Sequence, residues 1–266
     1  LRSPANRALA PEQAADCQEL SQAAQAAIDR RDYELARANL EELVVRAPGL
    51  AEAHHRLGRV LLAQGELDLA QAAEVRALHL DPDYVAARIA LGEILTRLGQ
   101  PAAALQQIDA AIEIDPGRPE AHIAEGHALE ALGRTGEALA AYFRTLALDP
   151  ASSTALLRTA TIQLDRGQAD QALARLSQLL EVTPNDPEAR YRRGLAHLAL
   201  KHPGQAAEDL AIAANHLPSR PDVFYNLALA FDANHQSADA LRAAQRAQRL
   251  APESAIARDL TRRLQR

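Results

Sequence analysis

The sequence has no methionine and no tryptophan, a single cysteine, and aromatic residues make up only 3% of it. With Cys17 alone, an internal disulfide framework and any CxxC metal site are excluded. No apolar run approaches the roughly 20 residues needed to cross a bilayer, so no transmembrane segment is expected. A core short of rings has to be filled by Ala and Leu, which suits close helix packing. The net charge of -6 is spread along the chain. Clusters of Lys and Arg that would displace phosphate counterions are missing, so nucleic acid is not an expected partner. Only the last stretch runs basic. Lys201 is the one lysine among 29 basic residues, which reads as the codon usage of a GC-rich bacterial genome. Residue 1 is Leu, and "LRSPANRALAPEQAAD" has the Pro/Ala-rich look of a linker left behind by a removed signal or domain. The chain therefore reads as a processed mature form or an excised piece. Composition leaves the compartment open, with an exported or periplasmic location favoured over the cytoplasm.

What is present is a period. Prolines fall at 48, 82, 116, 150, 184, 218 and 252, each 34 residues after the last. With that proline at position 32 of a unit, seven units run from Cys17 to Ser254: 17–50, 51–84, 85–118, 119–152, 153–186, 187–220 and 221–254. Position 20 is Ala in every unit, from Ala36 and Ala70 to Ala206 and Ala240. Position 8 is always Gly or Ala, as at Gly58, Gly92 and Ala160, and marks a place where two helices cross. Gly65, Gly99, Gly133 and Gly167 supply left-handed caps that end a first helix. A second helix follows and stops at the proline, which lacks an N–H and restricts the residue before it. Pro119, Pro187 and Pro221 open the next first helix, where the missing N–H is harmless, and Asp186 is placed to cap one of them. Each unit is thus a helix-turn-helix hairpin. One hairpin cannot bury its apolar face alone, so stability has to come from neighbours stacked in a line.

These residues resemble the tetratricopeptide repeat family. The match rests on Leu-Gly at positions 7 and 8 (Leu57-Gly58, Leu91-Gly92), Ala at 20, a small residue at 27 (Ala77, Ala111, Ala213, Ala247) and Pro at 32. It covers residues 17–254. Departures are the family's position-4 Trp, which is never present, Glu74 at the bulky position 24 and Arg193 at position 7. The resemblance implies an all-α fold: a right-handed α-α superhelix of seven hairpins, first helices lining a concave face, preceded by a linker at 1–16. Residues 255–266 would form a capping helix, since Ile256, Leu260 and Leu264 recur every four residues among Arg258, Arg262, Arg263 and Arg266.

Nine histidines invite a metal or catalytic reading. They scatter over different faces, and neither "HHRLG" nor "HIAEGH" carries the i, i+4 pair of a zinc helix. No phosphate loop, GxSxG elbow or nucleophile with a local partner is found. Cys17 opens the first unit, where a helix N-terminus could activate it, although an inert edge thiol is the plainer reading. No cofactor, no metal and no catalytic residue are expected, and the chain reads as a non-enzyme.

In the family, positions 2, 5, 6, 9, 12 and 13 face the groove. Carried onto this sequence, they give an apolar trough in units five to seven from Leu157, Leu164, Tyr191, Leu195, Leu198, Tyr225 and Leu229. Arg158, Arg192 and Asn226 flank it. Such a trough suits a peptide with apolar side chains and an acidic or carboxylate group, because a guanidinium forks onto a carboxylate. The bland alternative is that the leucines only pack between repeats and the arginines are solvated. The early groove, with Arg56, Arg59, Glu93, Arg97, His127 and Glu130, is mixed in charge and better suited to a polar protein surface. The Lys/Asn clamp of chaperone-tail-binding members is missing. The expected function is a non-catalytic protein-interaction scaffold that holds a peptide or partner segment. Alternatives are the docking region of a larger enzyme or secretion machine, or a self-assembling scaffold.

Overall fold

The computed structural model describes residues 11–265; residues 1–10 of the expected linker, and Arg266 of the basic tail, lie outside it. Among the described residues there are fifteen α-helices and no strand. They fall into two compact units, divided between Leu148 and Asp149. Unit 1 holds α1 (Pro11–Asp29), α2 (Tyr33–Arg46), α3 (Ala51–Gln64), α4 (Leu67–Leu80), α5 (Val85–Arg97), α6 (Pro101–Ile114), α7 (Pro119–Ala131) and α8 (Thr135–Leu148). Unit 2 holds α9 (Ser153–Asp165), α10 (Ala169–Val182), α11 (Pro187–Ala199), α12 (Pro203–His216), α13 (Pro221–Ala233), α14 (Ser237–Leu250) and α15 (Ala255–Leu264).

Each odd-numbered helix up to α13 packs against the helix that follows it, and α3, α5, α9 and α11 also touch the next odd-numbered helix. The expected helix-turn-helix pairs are therefore present, seven of them followed by one further helix.

The punctuation explains where the helices stop. In all seven hairpins the residue at position 15 adopts a positive φ. Gly65, Gly99, Gly133 and Gly167 do so in four, and Arg31, Lys201 and His235, each near +60°, in the others. That left-handed residue reverses the chain after the first helix. The Asp-Pro pairs end the second helix in a shared way: the Asp side chain accepts the N–H two residues on. Asp81 takes it from Asp83 at 3.2 Å, Asp115 from Gly117 at 3.2 Å, and Asp149 from Ala151 at 3.1 Å. At the helix starts, Asp32, Asp186 and Ser254 cap α2, α11 and α15 by accepting N–H bonds.

Packing follows the period. All seven position-20 alanines are fully buried. Position 8 lies directly under the side chain at position 24 of the same hairpin. A Cβ on Gly92 would come within 2.5 Å of Ile108 Cγ1, and one on Gly126 within 2.4 Å of Tyr142 Cε1. These glycines are required by contact, not by backbone angle.

Two of the departures from the repeat pattern, the charged residues Glu74 and Arg193, are each answered by a partner. Glu74, wholly buried on α4, receives both of its contacts from His55 Nδ1, at 2.9 and 3.1 Å. Arg193 on α11 pairs with the buried Asp209 of α12, its Nε lying 2.6 Å from Oδ2 and a second nitrogen 2.8 Å from Oδ1. Arg190 adds a third bond to Asp209 at 2.8 Å.

Two expectations are corrected. Cys17 does not open a helix, because α1 begins at Pro11 and places the buried thiol in its interior. In α15, Ile256 is 65% exposed, whereas Ala257, Leu260 and Thr261 are buried. Leu260 and Leu264 pack into the cluster of unit 2. The buried stripe thus starts one residue later than the four-residue spacing placed it. The i, i+3, i+4 geometry of a helix turns Ala257 inward together with Leu260 and Thr261.

Candidate functional site

The sequence-derived trough lies entirely in unit 2, on its first helices. Leu157, Arg158 and Leu164 stand on α9, Tyr191, Arg192, Leu195 and Leu198 on α11, and Tyr225, Asn226 and Leu229 on α13. Both α9 and α13 touch α11, because units of equal length place equivalent positions of successive first helices side by side. Tyr191 is buried in one apolar cluster, and Leu195, Leu198, Tyr225 and Leu229 pack on it while keeping part of their surface. Leu157 and Leu164 are also half-buried but are not members of that cluster.

The polar flank is already connected. Asn226 Nδ2 donates to the Tyr191 hydroxyl at 3.2 Å and to the Asp222 carbonyl at 2.9 Å. Arg192 pairs with Glu188 at 2.8 Å, one turn back on α11. Glu188 also receives Arg220, at 2.6 Å, and Arg220 in turn forks onto Asp222. The guanidinium of Arg220 sits 4.6 Å from the centre of the Tyr191 ring, a cation–π contact. Burial pushes the Tyr191 phenol up to about 12, and the Asp222 carboxylate adds to the effect. Burial also works against ionisation of Asp222, but hydrogen bonds from Arg220 and Tyr191 outweigh it and hold the carboxyl below its ordinary value. At neutral pH a neutral Tyr191 phenol therefore stands beside the Asp222 carboxylate and the Arg220 guanidinium.

One donor in this set is unsatisfied. Arg192 Nε is shielded from solvent and has no hydrogen-bond partner, a rare state for a buried polar atom in a native fold. The sequence offered Arg192 as a flank of the trough but not Glu188, Asp222 or Arg220, which contact Arg192 or Tyr191. Glu188 and Asp222 occupy a position that faces the groove in the family, and so carried a signal. Arg220, the last residue before Pro221, had none, because its role depends on meeting Tyr191 across the hairpin.

The inner face of unit 1 is different in kind. Arg56 bonds Ser21 Oγ at 2.6 Å and Gln25 Oε1 at 3.1 Å, and Arg59 pairs with Glu93 at 2.6 Å. Arg97 reaches the Leu62 carbonyl at 3.4 Å, the His127 ring stands 6.0 Å from that of Tyr142, and the Tyr142 hydroxyl donates to Glu130 at 2.6 Å. A cleft of about 220 Å³ opens here, lined by His55, Arg59, Ile89, Glu93, Arg118 and Glu120. Arg59 and Glu93 thus neutralise each other, while Arg56, Arg97 and Glu130 bond uncharged groups and the face keeps its mixed charge.

The histidines do not converge on one site; the rings of His197 and His202 approach to 5.8 Å, and two others have local hydrogen-bond partners. His54 Nε2 meets the Pro48 carbonyl at 3.3 Å, and His122 bonds Glu125 at 3.1 Å. Among the described residues no group of three or more His, Cys, Asp or Glu side chains is arranged to hold a metal ion. No described helix is long and apolar enough to cross a membrane.

Comparison with known proteins gives one consistent result. Two family models, both described as tetratricopeptide repeat, match: one over residues 21–78 and 55–119, the other over 129–196. No curated protein sequence matches significantly. Among solved structures, pilF of Pseudomonas aeruginosa superposes with a TM-score of 0.73 at 18% identity, over 80% of this chain and 97% of that one. Cut9 of the APC/C hetero-tetramer Cut9–Hcn1 gives 0.70 at 17% identity over 87% of this chain, which spans about half (48%) of its length. YrrB, described as a TPR protein with an unusual peptide-binding site, gives 0.64 at 20% identity over 71% of this chain and 98% of that one. At such identities the structures speak for the fold alone. With the matched residues, the paired helices and the buried small residues at the crossings in agreement, the chain belongs to the tetratricopeptide repeat family.

Proposed function

We propose that this protein is a non-catalytic interaction scaffold whose unit 2 holds an extended segment of a partner protein along α9, α11 and α13. Tetratricopeptide repeat proteins are in general scaffolds for protein–protein contact, and this reading narrows that role to a face and a chemistry. The segment carries apolar side chains, which rest on Leu195, Leu198, Tyr225 and Leu229, and an oxygen acceptor beside Arg192. YrrB, with its described peptide-binding site, shares the fold.

The observation that carries the reading is the pairing of part-buried leucines and tyrosine with the Arg192 side chain, 26% exposed and engaged by Glu188 through one terminal nitrogen. The fork of a guanidinium is suited to a bound carbonyl or carboxylate. An acidic group is favoured over a basic one because a guanidinium such as that of Arg192 forks onto a carboxylate with two hydrogen bonds.

The test is capture of partners from the source cell by the full chain, followed by titration of the captured segment against wild type and the Arg158→Ala/Arg192→Ala variant. The double variant is expected to bind at least about tenfold more weakly, the loss of one charge-assisted hydrogen bond. Unchanged affinity for every captured partner would remove the proposal for this face.

A further inference from the structure

Position 24 of the repeat is a core position. Leu40, Ile108, Leu176 and Leu210 occupy it in other hairpins, all fully buried, and Tyr142 fills it in the fourth. In the second hairpin the residue is Glu74, equally buried, with its carboxyl against Gly58: a Cβ there would lie 2.5 Å from Oε1. The acid is held by one side chain. His55 Nδ1 stands 2.9 and 3.1 Å from the two carboxyl oxygens. His55 is also a wall of the unit 1 cleft, its ring edge-on to Tyr84 with centres 5.1 Å apart.

From this arrangement we propose that His55 and Glu74 form a proton-sensitive latch behind the unit 1 cleft, holding α4 against α3 while the pair retains a proton and loosening when it is lost. The proposal concerns unit 1 and stands independently of the partner-binding face in unit 2.

The chemistry is that of two groups bridged by a proton. With one proton shared, either an imidazolium N–H donates to a carboxylate or the carboxyl O–H donates to the neutral imidazole nitrogen, and no net negative charge is buried. Once both groups have given up their titratable protons, a carboxylate remains in the core with only a neutral ring to face it, a costly state. The surroundings do not make up the difference. From α3, Arg59 favours the anion, but from α5 Glu93 opposes it and is itself the ion-pair partner of Arg59. Tyr84, just before α5, contributes an uncharged ring, with Glu52, Asp81 and Arg56 acting on it. Burial raises the Glu74 carboxyl above its ordinary value of 4.5, and the hydrogen bond from His55 only partly counters it. The sign follows: Glu74 contributes fully below that ordinary value, and its contribution is lost as the pH rises through the raised one.

Hydrogen exchange of the α3 and α4 backbone amides in the full chain, followed from pH 5 to 8.5 and corrected for intrinsic exchange, reads the latch directly. Wild type is expected to lose protection in these two helices as the pH rises, by about tenfold for each unit by which folding raises the proton affinity of the pair. Glu74→Gln, which cannot ionise, is expected to keep a flat profile. Glu74→Leu, which restores the residue type of the other hairpins, serves the same purpose should the glutamine variant fail to fold. As a measurement on wild type alone, the exchange profile of α12 provides the internal reference. A fall in α3 and α4 that exceeds any change in α12 supports the latch. Equal pH dependence in both regions, or in wild type and variant, overturns it.

Discussion

Units 1 and 2 each bury an acid in the packing layer between two helices, and they neutralise it differently. In unit 1 Glu74 faces one imidazole. In unit 2 Asp209, only 2% exposed, faces two guanidiniums, with His197 at 4.0 Å as a distant third. Guanidiniums stay charged throughout the accessible pH range, whereas an imidazole changes charge near neutrality. Two neighbouring repeat positions, 24 for Glu74 and 23 for Asp209, therefore bury an acid against an imidazole in one unit and against guanidiniums in the other. The lesson is that the repeat tolerates a buried acid wherever the preceding first helix offers a donor, and that the choice of donor fixes the response to protons.

The comparison can be broken most forcefully at Arg193. Arg193→Ala leaves Asp209 with Arg190 and the distant His197, and is expected to destabilise unit 2 by about 1.5–3 kcal/mol, the loss of hydrogen bonding to a buried charged group. Its effect on the thermal midpoint should be the same at pH 5 and pH 8, unlike any effect at Glu74. The double variant Arg193→Leu/Asp209→Ala, which restores the Leu-Gly pair of other hairpins, should recover most of the loss. A midpoint that stays low would show that the ion cluster contributes more than charge compensation.

The next effect tests what the two units share. Ala138→Leu forces extra volume into a fully buried joint of unit 1 and is expected to be unfavourable by about 1–3 kcal/mol. The equivalent Ala206→Leu should act on unit 2 by a similar amount. Calorimetry of both variants checks this, and an unchanged melt in either would contradict the packing register.

The smallest effect sharpens a remaining difference. Among the described non-Gly residues, unit 2 places Lys201 and His235 in the left-handed conformation, and unit 1 only Arg31. Each non-Gly residue there carries a strain of roughly 1–2 kcal/mol, partly offset by the greater flexibility of glycine in the unfolded chain. Lys201→Gly and His235→Gly should each raise the midpoint of unit 2 by an amount worth about 0.5 kcal/mol. Denaturant titration detects a change of that size as a shift in midpoint at constant slope.

Much of this was legible in the sequence because one signal was repeated. The prolines at a fixed spacing, the alanines at position 20 and the glycines at position 8 each require a helix end or a helix crossing, and seven coincidences leave little freedom. The position-15 turns were legible where they were Gly. Arg31, Lys201 and His235 were not, since an L-residue with positive φ leaves no mark on composition. The trough residues were traceable through repeat position. The ladder joining Arg192, Glu188, Arg220 and Asp222 was not, because it depends on which rotamers reach across from one hairpin to the next. The buried stripe of α15 was displaced by one residue for a related reason: Ile256 and Ala257 compete for the inward position, and the approach of α14 decides between them.

By itself the sequence determined that the chain is a string of helical hairpins, because local backbone chemistry at Pro, Gly and Ala sets where helices stop and how closely they cross. Only the tertiary structure decided which charges are buried, who neutralises them, and which donor is left open. Those outcomes depend on side chains from different hairpins meeting at distances of about 3 Å, where burial and pairing compete within a few kcal/mol.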